Sequence, residues 1–76
     1  MARLRPIHWR KAIKLFEKLG YEMRRQKGSH IAMIKPGKNR PIIIPTYDEI
    51  GLDIIHGWLK TEGIDRDTFM RLVDEI

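Results

Sequence analysis

The chain contains no cysteine, so no disulfide or thiolate metal site can supplement its core, and a reducing compartment, the cytoplasm, is the expected home. No apolar run approaches the ~20 residues needed to cross a bilayer, and no signal-peptide pattern opens the sequence, so no membrane association is expected. Acids are almost missing from the first half: residues 1–40 carry twelve Lys/Arg against Glu17 and Glu22 alone. Residues 41–76 reverse the balance, with three Lys/Arg against eight acids, so the net charge of +5 hides halves of +10 and −5. Such a basic half points to a polyanion, with nucleic acid as the first candidate. An anionic membrane fits less well, because the cations are not laid along one amphipathic helix with a bulky apolar face free for lipid.

What is present is enough for one small domain, residues 1–76, with no repeat and no linker. Trp9, Ala12, Ile13, Phe16 and Leu19 recur at spacings of three and four, which predicts an amphipathic helix with that stripe in the core and Gly20 at its C-terminal end. His8 is placed to cap its start. From Tyr21 the period changes to two, with Tyr21 and Met23 alternating with Glu22 and Arg24, and predicts a half-buried strand broken at Gly28-Ser29. His30–Ile34 reads as a second strand. After the Pro36-Gly37-Lys38-Asn39 turn, the β-branched run Pro41–Pro45 reads as a third, restricted by its prolines to an edge or terminus.

Thr46–Gly51 is polar enough for a loop. Helical spacing then returns through Leu52, Ile55 and Leu59, widened by Ile54 and Trp58 and closed by Gly63. Asp65 is placed to cap a last short helix bearing Phe69, Met70, Leu72 and Val73, with Ile64 as a staple to Phe69. Asp74 and Glu75 at its C-terminal end oppose the macrodipole and predict fraying. The expected architecture is α+β: a helix, a three-stranded antiparallel meander and a helix, with a short C-terminal helix, all helices on one face of the sheet. That is the order of elements in double-stranded-RNA-binding domains.

The chemistry-bearing stretch is Arg24-Arg25-Gln26-Lys27-Gly28-Ser29-His30. It joins fixed cations for phosphate, a glycine for a sharp turn, a hydroxyl, and the one common side chain that exchanges protons near neutral pH. At the level of the residues, His30 has two readings, a strand histidine bonded in the core or a proton shuttle. Exposure among Arg24, Arg25 and Lys27 distinguishes the second from the first. Ser29 is assigned to binding or positioning, since a Ser-His nucleophile lacks a third member here. His8, His30 and His56 form no paired metal-ligand motif, and neither metal nor cofactor is expected. The acids Asp48, Glu49 and Asp53 read either as solubilising charge or as an edge that keeps RNA on the basic face.

Several stretches together resemble the HicA family: Leu15–Tyr21, Arg25–His30, Pro41–Pro45, and Leu59–Ile64 followed by Phe69. The resemblance implies a small ribonuclease toxin with a double-stranded-RNA-binding-like fold. Such a toxin blocks translation by cleaving mRNA and is held inactive by a HicB antitoxin. It also implies that His30 is catalytic, with Arg24, Arg25, Lys27, Gly28 and Ser29 on the RNA. Two places depart from the usual pattern: Tyr47 and Asp48 stand where family members commonly carry histidine and lysine, and His8 stands where serine or threonine usually caps the first helix. The alternatives to a ribonuclease toxin are a non-catalytic RNA-binding module and a basic interaction domain for an acidic protein partner.

Overall fold

A computed structural model of the chain describes residues 3–76. Its elements are α1 (Trp9–Lys18), β1 (Glu22–Lys27), β2 (His30–Ile34), β3 (Ile42–Pro45), α2 (Leu52–Glu62) and α3 (Arg66–Asp74). The strands form one antiparallel sheet in the order β1-β2-β3, which is the layout of a double-stranded-RNA-binding-like α+β fold.

Period-two alternation decides which face of the sheet is covered. Ile31 and Met33 of β2 and Ile42 and Ile44 of β3 are buried beneath the helices, while His30, Ile34 and Ile43 face outward and are exposed. The core continues into Ala12, Leu15 and Phe16 of α1, Ile55 and Trp58 of α2, and Phe69, Met70 and Val73 of α3. Trp58 joins these layers. Its ring meets Phe16 edge-on at 5.2 Å, lies 6.5 Å from Phe69, and its Nε1–H donates to the Ile43 carbonyl at 3.3 Å. The outer edge of β3 is thereby tied to α2.

The first strand departs from expectation. Tyr21 is buried, but it precedes β1, and all six residues of β1 are exposed, including Met23. β1 is an edge strand of the sheet, and past Met23 a register shift between Met23 and Arg25, a bulge, ends the expected alternation. The buried arcs of two helices are also rotated from the expected stripes. On α1 it centres on Ala12, Leu15 and Phe16, with Trp9 at the margin under the Arg10 guanidinium, 5.1 Å from its ring centroid. On α2 it centres on Ile55 and Trp58, and Leu52 is exposed.

The ends are tied by contacts far apart in sequence. Ile7 pairs with Ile50 in an isolated antiparallel bridge, with the Ile50 N–H donating to the Ile7 carbonyl at 2.8 Å, and both side chains are buried. Gly63 ends α2 in the left-handed region at φ 68°, donating to the Leu59 carbonyl. Asp65 caps α3 by accepting from the Thr68 N–H at 2.7 Å, and this bond holds its carboxyl below the usual carboxylate range. The expected fraying of α3 meets a counterweight: Asp74 pairs with Arg5 at 2.8 Å and Glu75 lies 3.9 Å from Lys18. Cations from the basic half offset the unfavourable dipole there.

Candidate functional site

Lys27 and His30 face each other across the sheet, so Gly28 and Ser29 form a two-residue hairpin turn. Gly28 has φ 58° and Ser29 stays at negative φ, the pattern of a type II′ turn, which requires glycine at its first central position. The Gln26 side-chain amide donates to the Gly28 carbonyl at 3.3 Å and braces the turn from β1. On the other side, the Ser29 carbonyl accepts from the Thr46 backbone N–H at 2.8 Å and from its hydroxyl at 3.1 Å.

The register then brings distant residues to one patch. Arg25 pairs with Ala32, Lys27 with His30, and Ala32 with Ile43, so all five side chains share the outer face of the sheet. They line a shallow depression of about 230 Å³. His30 is exposed, and its ring accepts or donates no hydrogen bond within the described residues. Among the described residues, none of Arg24, Arg25 and Lys27 takes part in an ion pair. Two uncompensated cations and a solvent-facing imidazole thus surround an apolar floor of Ala32 and Ile43. Such an arrangement can attract an anion and exchange a proton beside it.

The other candidate residues lie around this patch rather than in it. Arg24 sits at the bulge, without a paired residue in the β1–β2 register. Gly28 and Ser29 form the turn at its end and do not line the depression. Thr46, which grips the Ser29 carbonyl, carried no signal in the sequence beyond its place after Pro45. The remaining histidines stand apart in role. His8 caps α1, its Nδ1 accepting from the Arg10 N–H at 3.1 Å, with its Nε2 3.5 Å from Asp48. His56 is exposed on α2, along an open hollow of about 480 Å³ shared with Gly57, Leu59, Lys60 and Ile64, where no third titratable side chain joins His56 and Lys60. Among the described residues no three His, Asp or Glu side chains converge as a metal site would need.

Tyr47 and Asp48 occupy the strand's continuation. Tyr47 is exposed, and its carbonyl accepts from the Trp9 N–H at 3.2 Å, so this segment anchors the start of α1. Asp48, almost fully exposed, faces His8.

No curated protein and no solved structure gives a significant match to the chain. Residues 9–64 do match a family model described as HicA toxin of bacterial toxin-antitoxin. The matched span starts at the first residue of α1, takes in the whole sheet with its depression and ends just past the Gly63 cap, leaving only α3 beyond it. A match over that much of the chain, on a sheet and helices in the expected order, establishes that the chain belongs to the HicA family, the toxins of bacterial toxin–antitoxin systems.

Proposed function

We propose that this toxin is an endoribonuclease that cleaves mRNA, with His30 as its general acid or base. The observation that supports the reading most is the exposed His30 flanked by unpaired Arg25 and Lys27 on the outer face of the sheet. RNA carries its own nucleophile. A ribonuclease of this type needs only to assist attack of the 2′-oxygen on the adjacent phosphorus and to protonate the departing 5′-oxygen. The products are a 2′,3′-cyclic phosphate and a 5′-hydroxyl, and no metal is required for the balance of the step. Imidazole is the one common side chain that exchanges protons near neutral pH and suits either transfer, worth roughly 10²–10⁴-fold.

Around that proton transfer, Arg25 and Lys27 neutralise the charge that builds on the phosphoryl oxygens. Arg24 at the bulge, and Gly28 and Ser29 at the turn, extend the contact to neighbouring phosphates. A HicB-like antitoxin is the protein partner that restrains the activity, and the cytoplasm, where mRNA is translated, is its site of action.

The test is incubation of the purified chain with a mixed RNA substrate, alongside His30→Ala. The expected result is cleavage by the wild type, a loss of at least about a hundredfold in the variant, and little change in RNA affinity, because no fixed charge is removed. Cleavage by the variant within tenfold of wild type would remove His30 from the mechanism.

A further inference from the structure

We propose that Thr46 is a positioning residue for His30, acting through the carbonyl of Ser29. The inference rests on the role of His30 given above. It begins from the alternation of an antiparallel ladder, in which residue pairs that exchange main-chain hydrogen bonds alternate with pairs that do not. The Thr46 N–H donates to the Ser29 carbonyl, so Ser29 and Thr46 occupy a bonded position, one step beyond the His30–Pro45 pair. His30 and Pro45 therefore fall at a non-bonded position. The missing N–H of Pro45 costs nothing there, and β3 can end in proline.

The consequence falls on His30. No main-chain bond crosses from β3 at His30 itself, and the last fastening on that side is the one made by Thr46. Its hydroxyl adds a second bond, at 3.1 Å, to the carbonyl that its N–H already holds at 2.8 Å. Both donors come from one half-buried residue. The Ser29 carbonyl shares a rigid peptide plane with the His30 nitrogen, so holding that oxygen sets the plane from which His30 departs. On its other side the turn hangs from β1, which is exposed throughout and gives it no buried support. Ile31 anchors the far side of His30 in the core, and on the turn side it is Thr46 that holds the plane from which the imidazole departs.

Thr46→Val removes the hydroxyl while keeping the backbone N–H and the side-chain size, and Thr46→Ser restores the hydroxyl. On RNA, Thr46→Val is expected to lower kcat about five- to tenfold, the loss of one hydrogen bond, with KM within about twofold, and Thr46→Ser to stay near wild type. The three-bond NMR couplings that report the His30 χ1 angle should move toward rotamer-averaged values in Thr46→Val and not in Thr46→Ser. Wild-type kcat and couplings in Thr46→Val would overturn the inference, as would an equal fall in Thr46→Ser. If Thr46→Val does not fold, Thr46→Ala repeats both measurements. If the wild type cleaves no RNA, the functional reading fails by itself, and the couplings alone decide for or against Thr46.

Discussion

The charge around His30 makes a quantitative prediction. Arg25 and Lys27 line the depression, are exposed, and have no ion-pair partner among the described residues, so nothing in the fold competes with phosphate for them. For single-stranded nucleic acid, the slope of log K against log salt changes by about −0.7 for each phosphate neutralised, because each contact releases condensed counterions. Replacing both residues by Ala should flatten that slope by ~1.4. Between about 50 and about 200 mM salt, this makes the affinity gap between wild type and double variant shrink about sevenfold. The measurement is a set of fluorescence titrations at several salt concentrations, using an RNA whose 2′-hydroxyls are methylated so that cleavage cannot intrude. The weakening should be similar for unrelated sequences, since phosphate contacts carry affinity and little sequence information. His30→Ala should leave the slope nearly unchanged, because it removes no fixed positive charge. A double variant with the wild-type slope would refute the reasoning and move the RNA contact elsewhere, first to the exposed Arg10, Lys14 and Lys18 of α1.

Three further outcomes are expected. Cleavage should survive EDTA and leave a 2′,3′-cyclic phosphate, detected by its resistance to ligation at the 3′ end; loss on chelation, restored by Mg²⁺ or Mn²⁺, would assign the work to a metal. Phe16→Ala removes a ring that is 1% exposed and sits between Tyr21 and Trp58, so it should destabilise the fold by about 3–5 kcal/mol in urea unfolding, and a cost below about 1 kcal/mol would contradict the packing described. Burial, then the hydrogen bond that the Tyr21 hydroxyl donates to Glu62, pushes the Tyr21 pKa well above its usual value. The fold therefore favours the neutral phenol: this stabilisation is complete below about pH 10, where the unfolded chain's tyrosine begins to ionise, and declines above it. Tyr21→Phe should lose less stability than wild type between about pH 10 and 11.5, and parallel stability curves would sink that account.

Much of this protein was readable without coordinates because its information is local. Periods of two and three to four residues reveal strands and helices wherever one face is buried, and Pro41, Pro45, Gly63 and Asp65 mark ends through backbone chemistry that does not depend on distant contacts. The stretch Arg24–His30 stood out by its residue types, which are local too, and the two-residue turn at Gly28-Ser29 sets Lys27 opposite His30. Tertiary structure decided the rest. The bulge that isolates Arg24 is set by strand pairing, and alternation in the sequence cannot register an extra residue. Leu15 is buried though the stripe counted along α1 omits it, and Leu52 is exposed though the stripe of α2 includes it, because the packed layers decide which arc of each helix is covered. Ile43 and Thr46 join His30 only through the β2–β3 register and the loop that follows it. Contacts between residues more than ten positions apart leave no periodic trace in either segment, so this part of the site came into view only once the strands were paired.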